Sequence, residues 1–121
     1  MLVKKEVFKE VGLLDEDYFL YWEDVDFSLR AKKAKFKKII VTSSWVYHFE
    51  KSEKNRENKV YWLVASGIIF FKKNTSPHLK PWIMLYLQLR RIKNWLDVLF
   101  GSNALAPIVK KAHADFKNEK F

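Results

Sequence analysis

Apolar positions in the first fifty residues recur at helical spacing, give way to extended runs, and return to helical spacing afterwards. Val3, Val7, Phe8 and Val11 share one face of a helix over residues 3–11, and Gly12 can end it in the left-handed conformation. Leu13 to Trp22 reads as a turn followed by an extended aromatic segment. Over 23–34, Phe27, Ala31 and Ala34 form a stripe with Val25 and Leu29 beside it, which predicts a second helix. The β-branched run Lys37 to Ser43 predicts a short strand, and Trp45 to Phe49 another. A charged stretch follows, then a helix over roughly 56–73, apolar almost all round from Val60 to Phe71 and broken by Pro77 and Pro81. The next helix, about 81–100, carries Trp82, Leu85, Leu89, Ile92, Leu96 and Leu99 on one broad face, with Arg90, Arg91, Lys93 and Asp97 on the remainder. A short basic helix, about 107–119, ends the chain.

Two short strands among helices do not make a self-sufficient sheet, so the pattern predicts a piece of a larger fold. The 121 residues suffice for one domain at most, and the 49% hydrophobic content can bury a core. The absence of cysteine excludes disulfides, thiolate metal sites and cysteine nucleophiles, and fits a reducing compartment. Charge is split unevenly. Residues 1–50 hold nine Lys/Arg and nine Asp/Glu, whereas residues 51–121 hold fourteen against five and so carry the whole net charge of +9. Acidic chemistry and basic surface therefore belong to different parts, an expected acidic-aromatic unit over 1–50 and basic, aromatic-rich helices over 51–121. No secretory signal opens the chain, and the longest uncharged run, Val60 to Phe71, is twelve residues, too short to cross a bilayer.

The chemistry concentrates in residues 18–30, where an aromatic run delivers Glu23 and Asp24 to the first turn of the predicted helix. Acids at a helix start are favoured by the macrodipole by about 0.3–1 kcal/mol each, and that alone accounts for an ordinary cap. Tyr18, Phe19, Tyr21 and Trp22 add bulky rings that would partly desolvate the carboxylates, as a general base working near neutral pH requires. Asp26 and Arg30 read as an ordinary i,i+4 ion pair. His48, at the end of a β-like run, is either a packed strand-end histidine or a metal ligand, with no second ligand at metal-site spacing nearby. His78 and His113 read as a loop histidine and a surface helix histidine.

The order Val-Gly-Leu-Leu-Asp-Glu-Asp-Tyr-Phe-Leu-Tyr-Trp-Glu-Asp-Val-Asp-Phe-Ser-Leu-Arg, residues 11–30, resembles the acceptor-side half of family 2 glycosyltransferases, especially rhamnosyltransferase-like members. The resemblance is detailed over 1–50 and looser, in helix pattern only, beyond. It implies an α/β architecture, a partial GT-A fold followed by C-terminal amphipathic helices. It also implies inverting transfer from a nucleotide-sugar to a glycan or lipid-linked acceptor. Asp24 would correspond to the catalytic base and Glu23 to the group that orients it or the acceptor. Asp15, Glu16, Tyr21 and Trp22 would line the acceptor pocket. His48 would correspond to a ligand of the divalent cation, Mg or Mn, on the donor diphosphate. The family's nucleotide-binding half, with its Asp-x-Asp-type metal motif, is not in these 121 residues, so the chain is expected to be inactive without an N-terminal half. Lys35 stands where relatives usually have Gly, and Ala65-Ser66 where relatives often carry Arg-Asn.

The basic helices have two readings. Their apolar faces pack on a missing catalytic half, or they lie on an anionic membrane with Lys72, Lys73, Lys80, Arg90, Arg91 and Lys93 on head groups. The alternative function is accordingly a non-catalytic module binding membrane or a partner, and self-association through open faces is expected. The expected location is cytoplasmic, peripheral at the inner face of the plasma membrane. Nucleic acid is not an expected partner, because no recognition motif accompanies the charge and the acidic helix start would repel phosphate.

Overall fold

The computed structural model describes residues 2–47 and 56–117. Five α-helices occur among them: α1 (Lys5–Val11), α2 (Glu23–Lys33), α3 (Arg56–Asn74), α4 (Lys80–Leu99) and α5 (Ala106–Lys117), with a short 3-10 turn, Pro77–Leu79, leading into α4. All five start and stop close to the predicted limits, because Gly12, the acidic first turn of α2, Pro77 and Pro81 are local signals that need no tertiary help.

The expected α/β partial GT-A fold is not what forms. Among the described residues there is no strand. Residues 36–47 run as irregular chain, with Ile40, Trp45, Val46 and Tyr47 each at least 86% exposed. The physical reason is the one already visible in the sequence. A β-branched run gains its stability from cross-strand neighbours and a covered face, and among the described residues this run has neither. The last two residues of the second predicted strand lie outside the described residues.

Helices α1 and α2 share a small core in which Val7, Phe27 and Ala31 are buried and Val3, Phe8, Val11 and Phe36 pack against them. The Phe8 and Phe27 rings meet at 5.2 Å. Arg30 ties the junction together, its guanidinium donating to the carbonyls of Val11 and Leu13 on either side of Gly12. Helix α2 ends in a reciprocal cap, Lys35 N–H to Lys32 O and Phe36 N–H to Ala31 O, both 3.0 Å, with Phe36 folded back onto the core. That cap puts Lys35 at φ 65°, the left-handed region where a side chain costs about 1–2 kcal/mol. Lys35→Gly removes that strain at the expense of a more flexible unfolded chain. We expect it to raise stability by about 0.5–1 kcal/mol, read as a higher urea midpoint at unchanged slope.

In the basic half, α5 packs against both α3 and α4, burying Ala106 and Ala112. Asn94 Nδ2 donates to Ala106 O at 3.1 Å, and Tyr61 Oη donates to Asp115 at 2.9 Å. Burial and the Asp115 carboxylate push the Tyr61 phenol up to about 12, so it stays a donor throughout the physiological range. None of the twenty residues of α4 is buried.

Candidate acceptor-side site

The acidic-aromatic loop, residues 13–22, is held against one face of α3, and that seam joins residues 1–50 to residues 51–121. It works because α3 presents three consecutive small residues, Ala65, Ser66 and Gly67, all buried. Ser66 Oγ donates to Leu20 O at 2.7 Å. The Trp22 indole lies over Gly67, donates from Nε1 to Leu63 O at 3.0 Å, and stacks on Phe70 at 4.9 Å. Phe19 stacks on Trp62 at 4.4 Å. At the far end the Lys73 ammonium bridges Asp15 at 2.6 Å and Asp17 at 2.5 Å. Burial pushes the Asp15 carboxyl up, but hydrogen bonds from Lys73 and the Asp17 amide outweigh it and hold it below its ordinary value. Burial likewise disfavours the Lys73 charge, and the two carboxylates more than reverse this.

Gly67 is a packing requirement rather than a flexible joint. A Cβ there would sit 3.2 Å from Trp22 Nε1. Gly67→Val should cost about 1–3 kcal/mol through overpacking, whereas Gly67→Ala should cost less because its helix propensity gain of about 1 kcal/mol offsets a smaller clash. The order of the two urea midpoints checks this.

Tyr21 and Trp22 both have positive φ, 66° and 70°, immediately before α2. Two successive left-handed residues with large side chains cost on the order of 1–3 kcal/mol each and persist only where neighbours enforce them. Trp22's packing on α3 supplies that enforcement. The consequence is directional: the chain enters α2 abruptly, and Glu23 and Asp24 become its first two residues. Asp24 is exposed, its Oδ1 accepting the Val25 N–H at 2.8 Å. Glu23 is half-buried, and its Oε2 is shut off from solvent with no hydrogen-bond partner among the described residues.

The rings expected to shelter this pair are used elsewhere. Tyr18 is buried against Asp26, Phe19 lies on Trp62, and Trp22 is committed to α3. A groove of about 810 Å³ runs between the loop and α3, and Glu16, Phe19, Trp62 and Lys73 line it. Of the expected acceptor residues, Glu16 lines this groove. Asp15 is tied to Lys73, and Tyr21, Trp22, Glu23 and Asp24 are not among the groove's walls. His48 lies outside the described residues. Among the described residues no three His, Cys, Asp or Glu side chains converge to hold a metal ion, so they do not form a metal centre by themselves.

The residue that sequence reasoning underrated is Asp26. It is 3% exposed, accepts from Arg30 Nε at 2.8 Å and Asn74 Nδ2 at 2.9 Å, and has Tyr18 Oη at 3.4 Å. Burial and the Asp26 carboxylate raise the Tyr18 phenol to about 12. A carboxylate next to Phe27 and Ala31, on the buried side of α2, carried that signal.

Two curated proteins of Mycobacterium tuberculosis, strains CDC 1551 / Oshkosh and ATCC 25618 / H37Rv, are similar to this chain. Both are named N-acetylglucosaminyl-diphospho-decaprenol L-rhamnosyltransferase, and each is 39% identical over 57 residues. The chain is thus similar, over part of its length, to two sugar transferases. That stretch is 47% of this chain and 19% of each relative, so the match spans about a fifth of their length. No family model matches the chain, and no solved structure does.

Proposed function

We propose that the chain is the acceptor-side part of an inverting glycosyltransferase, and that it works together with a donor-binding part lying outside these 121 residues. In the reaction, an acceptor hydroxyl oxygen attacks the anomeric carbon of a nucleotide-sugar. The new C–O bond forms opposite the breaking bond to the diphosphate, and the hydroxyl proton passes to Asp24. Glu23 orients the acceptor or the base, and Glu16 and Asp15 meet the acceptor along the loop. A divalent cation, Mg or Mn, would neutralise the leaving diphosphate, with His48 as one ligand beside groups of the donor-binding part. The acceptor class is a glycan or a lipid-linked glycan, the latter suggested by the relatives' name.

The observation that carries this reading is the strained Tyr21-Trp22 turn, which fixes an acid pair with one solvent-accessible carboxylate and one oxygen that has no partner among the described residues. The test is co-expression of this chain with the donor-binding part of a rhamnosyltransferase relative, followed by an assay of rhamnosyl transfer to a lipid-linked acceptor. Transfer that needs both parts is expected. Transfer by residues 1–121 alone would refute the division of labour.

A second reading, a membrane- or partner-binding module without catalysis at the inner membrane face, is favoured by α4. Its Trp82, Leu85, Leu89, Ile92 and Leu99 are all more than half exposed, and no described helix is long and apolar enough to cross a membrane.

A further inference from the structure

A second groove, of about 510 Å³, adjoins the first, sharing Lys72, Phe116 and Lys117 with it, and runs between α3 and α4 with α5 as its floor. Its interior is apolar, built from Ile68 and Phe71 of α3, Ile83 and Leu87 of α4, and Phe116 of α5. Its polar wall is cationic. Lys72, Lys80, Arg91 and Lys117 line it, joined by His113, and among the described residues no carboxylate does. The Lys72 ammonium stands 5.4 Å from the Phe116 ring, so charge and apolar surface meet within the same groove. Four cations around an apolar trough whose described lining carries no carboxylate are costly to leave close together, and they become favourable when an anion sits among them.

We infer that this groove binds a single lipid phosphate, its hydrocarbon chain lying along Ile68, Leu87 and Phe116 and its phosphate held by Arg91, Lys117 and their neighbouring lysines. An inorganic anion would leave the apolar trough empty, and a neutral amphiphile would leave the cations unpaired. Only a molecule with both parts satisfies both features. A guanidinium and ammonium groups are suited to a phosphate through charge-assisted hydrogen bonds. The inference stands on the groove alone and is independent of the transferase reading, since none of Glu16, Glu23, Asp24 or Asp15 lines it.

The experiment titrates the purified chain with dodecyl phosphate below its micelle concentration, by calorimetry, with dodecyl maltoside and inorganic phosphate as matched probes. Saturable one-to-one binding of dodecyl phosphate is expected, about tenfold or more tighter than that of dodecyl maltoside, with inorganic phosphate weaker still. The double variant Arg91→Glu/Lys117→Glu alters two exposed side chains, so circular dichroism should be unchanged while dodecyl phosphate affinity falls at least about tenfold. Equal affinity for the maltoside, or affinity indifferent to the double variant, would overturn the inference. So would a dimer in sedimentation that dodecyl phosphate fails to dissociate, which would show a second copy to be the occupant.

Discussion

Replacing Asp26 by alanine is expected to cost about 3–5 kcal/mol, the largest stability effect of any single substitution around α1 and α2. The carboxylate is buried and accepts from Arg30 and Asn74, with the Tyr18 hydroxyl 3.4 Å away. Its loss strands all three at once. Arg30 would lose its anion while still committed to the carbonyls of Val11 and Leu13, and the buried Tyr18 hydroxyl would lose its acceptor. Asn74 belongs to α3, so the same change weakens the seam between the two parts of the chain. Domains of this size have about 5–15 kcal/mol in hand, so the variant should be largely unfolded well below the melting temperature of the parent. Asp26→Asn keeps the shape and one acceptor and should cost less. The check is the urea midpoint of each variant, and equal, small shifts would show Asp26 to be a surface ion pair after all.

The helices were legible in the sequence because their signals are local: glycine after α1, acids at the start of α2, prolines before α4, and apolar periodicity within each. Lys35 was singled out by the resemblance, which places glycine there, and the structure gives it the left-handed conformation that glycine adopts without strain. The sheet was not legible. Lys37 to Ser43 has strand composition, but a strand is a relation between segments, and its partners are not among the described residues. The shelter around the acid pair was not legible for a related reason. Ring count along Tyr18–Trp22 suggested that Glu23 and Asp24 are both partly sheltered, whereas which ring shelters which carboxylate depends on α3, more than forty residues away. The small triplet Ala65-Ser66-Gly67 decides it, by admitting Trp22 and giving Leu20 O a donor. Small residues in an apolar helix are weak signals singly; three in succession were the clue.

In an assay completed by a donor-binding part, Asp24→Asn should lower kcat by about 10²–10⁴-fold, the usual contribution of a positioned general base. Stability should barely respond. Asp24 is exposed, and its visible structural duties are one bond to the Val25 N–H and a favourable place at a helix start, together on the order of 1 kcal/mol. This separation between rate and stability distinguishes it from Asp26, where both would fall together. Glu23→Gln discriminates further. Glu23 has an enclosed oxygen with no partner among the described residues, so if it is the proton acceptor, its amide variant will carry the large loss and Asp24→Asn the small one. If it orients the acceptor, Glu23→Gln will raise KM more than it lowers kcat. Should both variants retain full turnover, the strained turn before α2 serves packing on α3 alone, and the base belongs to another residue.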